Sequence, residues 1–416
     1  IWLLVYVFVN LTSIIYLGAL AISSIAPISF EYCVAGLSIF SVIVTLGGMK
    51  VIGYTDVFQV LVLIIGGLVT TYLALTLLSE QFGFGKDVLK GLSILQKEAP
   101  EHFHMIFDKS NPHYKELPGM SVLIGGMLIN NLAYWGCNQY IVQRALGADL
   151  KTARKGILFA AFLKMLVPVI AVLPGIAMYV MHHNGMFQKE MMDAATGVIK
   201  PDHAYPTLMN LLPAGLKGIA FAALTAAIVA SLAGKANSIS TIFSLDIYKK
   251  YFNKDASERK LVLTGRWAVI ISMLIAAIVA PALKSLDQAY QFIQEYAGFF
   301  SPGVLAIFLL GMFWKKTTAS AGLAGALLTV PISTVLKFLP SWTNGAFPDF
   351  PFLDRMTIAF FVIVIIMVTI SLIKPKPAND MHVIEMDKAL FRVSPGFIVG
   401  SVIICGILAA LYTVFW

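Results

Sequence analysis

Apolar residues recur along the 416-residue chain in runs close to twenty long, each ended by glycine, proline or a cluster of charge. Runs of that length cross the hydrocarbon of a bilayer as helices, whereas half-buried helices of soluble domains show shorter, mixed stretches. The pattern predicts about eleven spans, at 1–25, 34–46, 56–78, 120–142, 157–181, 221–250, 267–283, 289–314, 321–339, 358–373 and 397–416. Two longer polar stretches, 79–118 and 182–206, read as external loops, and 1–416 reads as a single transmembrane domain. The chain opens inside an apolar run, with no Met start, basic n-region or cleavage site, so it reads as N-terminally truncated rather than as starting with a signal peptide. Pro168, Pro174 and Pro302 are expected to kink or break their helices and free backbone groups toward a cavity or a neighbour.

Composition agrees with a polytopic helical membrane protein: 58% of residues are hydrophobic, 12% are charged and the mean hydropathy is +0.83. The net charge of +8 sits in alternate short loops, which the positive-inside rule explains without any nucleic-acid partner. That bias places Lys50, 144–155, 249–260, 315–316 and 374–392 on the cytoplasmic side, so the sixth span runs from outside to inside. Cys33, Cys137 and Cys405 lie in or beside apolar runs and read as small buried hydrophobes, without disulfide or zinc spacing. His102 and His104 do not form a metal pair by spacing. The spans carry no HExxH, no paired catalytic aspartates and no Ser-His arrangement, which argues against an intramembrane enzyme.

Ionisable and amide side chains inside spans cost enough to mark cavities or pathways. Lys164 lies well inside the fifth span, as a pathway group or as a lysine snorkelling to the interface. Asp56 opens the third span, where helix capping competes with an ion-path role. The fourth span carries Asn130, Asn131, Tyr134, Trp135, Asn138 and Gln139. Aromatic rings beside amides suit a small polyhydroxylated ligand, and an interfacial aromatic belt with packing amides would place the same residues there. Gln294 and Glu295 in the eighth span contact ligand or form a polar seam between helices. In the sixth span Ala223, Ala227, Ala230, Ser231, Gly234 and Ser238 make a small-residue seam, whose hydroxyls and carbonyls could hold a bare cation. Packing explains the alanines and the glycine but not Lys235, one turn beyond Ser231.

The runs GGMKVIGYTDVFQV, NNLAYWGCNQYIVQRALGA, KANSISTIFSLDIY, QAYQFIQEYAGFFSPGVLAIFLLGMFWKK and LYTVFW closely resemble the sodium/solute symporter family, in its bacterial sodium/glucose (galactose) cotransporter branch. The resemblance covers essentially the whole chain. It implies an all-α LeuT-type fold of two inverted five-helix repeats with extra helices, here lacking about the first three spans. It also implies a multi-pass protein of the bacterial inner membrane that couples sodium to symport of a hexose by alternating access, with sugar, sodium ion and lipid bilayer as its partners. On the family motif, Asn131, Lys164 and Gln294 match residues that bond the sugar, Tyr134 matches the aromatic that closes over it, and Trp135 follows that gate. Ala227, through its carbonyl, and Ser231, through its hydroxyl, match sodium ligands, and Asp56 matches a carboxylate on the sodium exit path.

Two positions depart from that pattern. Ala230 stands where the family typically has the first of two consecutive serines, and Lys235 puts an ammonium one turn toward the cytoplasm. Such a charge repels a nearby sodium ion by roughly 2 to 4 kcal/mol at intermediate dielectric constants. Lys235 is therefore a possible ion surrogate, pairing with Asp56, in a sodium-independent or proton-coupled sugar transporter. Symport of another small solute, such as inositol or proline, and a sugar sensor without net flux are the remaining readings.

Overall fold

The computed structural model describes residues 2–192, 197, 199–285, 289–375 and 387–416. Among these the secondary structure is helical, with two isolated bridges, Phe107 to Pro118 and Met192 to Ile199. In chain order the main helices are α1, Thr12–Ile25, continuing a π-helical Val5–Leu11; α2, Phe30–Leu46; α3, Gly48–Gln81; α4, Val88–Glu98; α5, Gly126–Cys137; and α6, Gln139–Ala145. They continue as α7, Leu150–Lys164; α8, Leu173–His183, after a π-helical Pro168–Val172; α9, Ala214–Thr241, continued by a π-helical Ile242–Phe252; and α10, Glu258–Val279. The last five are α11, Ala289–Ala297; α12, Ser301–Phe313; α13, Ala319–Trp342; α14, Phe352–Ile373; and α15, Pro395–Val414.

Nine helical stretches among the described residues are long and apolar enough to cross a bilayer, and α2 is a shorter apolar helix. Ten of the predicted spans are accounted for in this way. The eleventh, 120–142, is broken into Ser121–Ile124, α5 and α6, with a break at Gly125 and another at Asn138. Exposed apolar side chains cover the outer faces: Leu263, Trp267, Ile271, Leu274 and Ile278 line one side of α10, and no residue of α15 is buried. Lipid is the solvent such faces require, and the chain is a multi-pass membrane protein.

Pro168 and Pro302 act where expected, while Pro174 lies in the first turn of α8, which continues directly from the π-helical segment. The fifth span stops at Lys164 and resumes as a π-helical turn at Pro168, and Pro302 sits in the first turn of α12 after a non-helical step from α11. Pro331 and Pro340, by contrast, lie inside α13. The third span begins earlier than the hydropathy indicates. Gly48 adopts φ +81°, a left-handed turn that glycine makes without strain, and α3 starts there. Asp56 therefore lies two turns inside a helix, and the capping reading for it is withdrawn.

The chain divides into two compact units: residues 1–103 with 163–293, and 104–162 with 294–416. In the first, α9 is the central helix and packs on α1, α2, α3 and α10. A second core joins α3, α4 and α8 through Leu75, Leu78, Leu95, Met178 and Met181. Asp87 starts α4 by accepting hydrogen bonds from the Leu89 and Lys90 N–H groups at 2.9 and 3.1 Å, the usual satisfaction of orphan donors. Gly91 lets this helix lie on α3, since a Cβ there would fall 2.1 Å from the Leu75 carbonyl oxygen. In the second unit α12, α13 and α14 pack around Ala306, Ala321, Ile363 and Met367, and α5 packs on α12 and α14.

Candidate functional site

In the second unit, the consecutive asparagines of α5 point to different faces because successive helical residues are turned by about 100°. Asn130 faces α12, where the Ser301 hydroxyl donates to its Oδ1 at 2.8 Å. Asn131 is exposed and donates through Nδ2 to the Met127 carbonyl one turn back, at 2.9 Å. Trp135 follows on the exposed side and Tyr134 is half-buried beside it, their rings edge to face with centroids 5.6 Å apart and planes at 86°. Asn131 and Trp135 thus share one open surface that Tyr134 borders, while Asn130 anchors the helix. Gly126 sets the depth of that surface, because a Cβ there would lie 2.3 Å from the Leu353 carbonyl oxygen of α14. The second break is closed by Asn138, whose Oδ1 accepts from the Tyr140 N–H at 3.0 Å and caps α6.

Gln294 is half-buried on α11, beside Glu295. The Glu295 carboxylate accepts from Arg355 at 2.5 Å and from Lys337 at 3.1 Å, all three side chains being largely enclosed. Lys337 also lies over the Tyr296 ring, 4.3 Å from its centroid. A carboxylate held by two cations in this way fixes the helix that carries Gln294. Glu295 belongs to a polar seam, with Gln294 half-buried next to it in the chain. Lys164 ends α7 with an exposed side chain and belongs to the first unit, as do the cation-site candidates.

Along α9, Ala227 and Ser231 are half-buried and Lys235 is 8% exposed. The Lys235 Nζ donates to Asn10 Oδ1 at 3.1 Å, and Asn10 in turn donates through Nδ2 to the Val5 carbonyl at 3.3 Å. Asn10 lies in the π-helical Val5–Leu11, where the wider turn displaces the carbonyl ladder and side chains of the next turn, such as Thr12, bond back to it, in this case to Val7 at 3.0 Å. Sequence reasoning missed Asn10; the available signal was a lone amide inside the apolar run VYVFVNL. Beyond Lys235 the polar stripe of α9 and its π-helical continuation lines a cavity of about 340 Å³ through Asn237, Ser240, Thr241 and Ser244, opposite Thr45 and Arg266. Asp56 is partly buried on α3, which packs along α9.

Elsewhere the chemistry is sparse. Among the described residues no group of His, Cys, Asp and Glu could hold a metal ion of the zinc type. The His102 ring lies tilted against Tyr179, with centroids 4.3 Å apart and planes at 39°. The three cysteines are free; Cys33 is buried, whereas Cys405 is exposed on α15, its apolar surroundings being lipid rather than protein.

Broken helices, amides displayed at the breaks and a polar stripe along a central helix define a membrane transport protein, in which irregular backbone and costly polar groups serve a solute path. The sodium:solute symporter family matches residues 1–329, and the chain belongs to that family. It is 43% identical to the sodium/glucose cotransporter of Vibrio parahaemolyticus over all of this chain and 76% of that protein. It is 31% identical to the sodium/myo-inositol cotransporter 2 of Sus scrofa over 80% of this chain, and spans about half of that relative, 51%. Among solved structures, a Na+-coupled sialic acid symporter in a substrate-bound, outward-open state matches with a TM-score of 0.71 and 20% identity, over 90% of this chain and 74% of that one. The fold is therefore the LeuT-like fold of sodium symporters.

Proposed function

We propose that the protein is a secondary active transporter of the bacterial inner membrane that carries a hexose of the glucose or galactose type together with sodium. The observation that carries this reading is the 43% identity with the Vibrio sodium/glucose cotransporter over all of this chain and 76% of that protein. Asn131 and Gln294 are assigned to the sugar hydroxyls, and Tyr134 and Trp135 to its apolar C–H face. Lys164 is assigned as a further donor to the sugar on the family motif alone. The Ala227 carbonyl and Ser231 hydroxyl are assigned to sodium, with Asp56 on its path.

A second reading rests on Lys235. A buried ammonium on the helix that carries Ala227 and Ser231 can stand in for part of the ion charge, giving a sodium-independent or proton-coupled sugar transporter. Competition for radiolabelled glucose uptake separates the substrate classes: glucose and galactose should compete, and myo-inositol and proline should not. Absence of glucose uptake, with uptake of radiolabelled myo-inositol or proline in its place, would overturn the hexose assignment.

A further inference from the structure

The geometry points to a binding site for the headgroup of an anionic phospholipid at the basic end of α7 and α15. A cavity of about 450 Å³ lies wholly within the second unit, lined by Lys151, Arg154 and Lys155 of α7, the Ser394 cap of α15, and an apolar floor that includes Leu158 and Phe397. Arg154 donates to the Arg392 carbonyl at 2.7 Å and also to the Leu390 carbonyl, which ties the segment before α15 to α7 and brings Arg392 into the same region. Among the described residues none of Lys151, Arg154 and Lys155 is in an ion pair. The nearest acid along the helix, Asp149, is already engaged: it accepts from the Thr152 N–H at 2.9 Å and from the Thr152 hydroxyl at 2.7 Å.

The chemistry is that of a phosphate with an acyl chain attached. Three cations and a hydroxyl answer a phosphodiester, and basic pockets between membrane helices on the cytoplasmic side suit anionic headgroups. A soluble anion would need no apolar floor, and it would not need the neighbouring surface of α15, where Ile398, Val399 and Val402 are 50, 58 and 64% exposed. Both helices begin at this cavity as apolar spans, so its depth is that of the headgroup layer.

The test uses the purified protein in nanodiscs of phosphatidylcholine with a minor fraction of phosphatidylglycerol, followed by native mass spectrometry of the lipid that stays bound. Phosphatidylglycerol should be retained over phosphatidylcholine, and the double variant Lys151→Gln with Lys155→Gln should reduce that preference about tenfold or more. The control Lys315→Gln with Lys316→Gln, at another basic loop, should leave it unchanged. Leu158→Trp fills the cavity without altering charge and should also abolish retention, while the protein still elutes as a single species. Equal loss in the control would show bulk surface attraction and overturn the site, as would retention in Leu158→Trp. Displacement of the lipid by inorganic phosphate would replace the lipid site with a free-anion site.

Discussion

The interaction of Lys235 with Asn10 shows how much one residue can decide. An ammonium shielded from water costs several kcal/mol unless its donors are met, and here an amide oxygen from the π-helical turn of the first span meets one of them. Asn10→Leu removes that acceptor and should lower stability by about 1–3 kcal/mol, read as a drop in thermal unfolding temperature in detergent. Adding Lys235→Met should recover part of the loss; strict additivity of the two substitutions would contradict the coupling. On α5 the two asparagines should separate cleanly. Asn131→Ala and Gln294→Ala should raise the KM for hexose by roughly three- to tenfold, whereas Asn130→Ala should lower stability and leave KM nearly unchanged. Lys235 was legible in the sequence because a charge in an apolar run calls for either a pathway role or a route to the interface. Asn10 was not, because the two lie 225 residues apart and no local pattern links them. The capping alternative for Asp56 arose because the apolar run starts after it, while the helix starts at the Gly48 turn.

At the scale of elements, span number followed directly from hydropathy, since backbone satisfaction in lipid forces each long apolar run into a helix. The breaks were less legible. Prolines announced those at 168 and 302, but Gly125 and Asn138 sit in a run that reads as one continuous span. Close contact explains the next residue, Gly126: its approach to Leu353 leaves no room for a side chain, so Gly126→Val should reduce the yield of monodisperse protein while Gly136→Ala, with nothing within 4 Å, should not. At the start of α7, the hydrogen bond from the Thr152 hydroxyl, followed by that from its N–H, holds the Asp149 carboxyl below the usual aspartate range. A depressed carboxyl stabilises fully above its unfolded value and loses that contribution as pH falls through the folded one. The unfolding temperature of the wild type should therefore fall more than that of Asp149→Ala when the pH is lowered below about 4.

For the whole molecule, sequence and fold converge because the residues that name the family are those the bilayer makes expensive. Motifs around Asn131, Gln294 and Ser231 carry amides and hydroxyls where lipid favours only apolar groups, so the residues that mark the lineage are also the ones proposed for the solute path. What they leave open is the coupling ion, because Lys235 lies on the same helix as the proposed sodium ligands. Two compact units share the described chain, with sugar and cation candidates distributed between them, so coupling is a property that only transport can report. The direct measurement is uptake of radiolabelled glucose by the full-length protein in proteoliposomes, under an inward gradient of sodium or of choline. The sodium-coupled reading predicts accumulation above equilibrium with sodium and only slow equilibration with choline. Accumulation of equal extent in choline would contradict it and favour the reading in which Lys235 stands in for the ion.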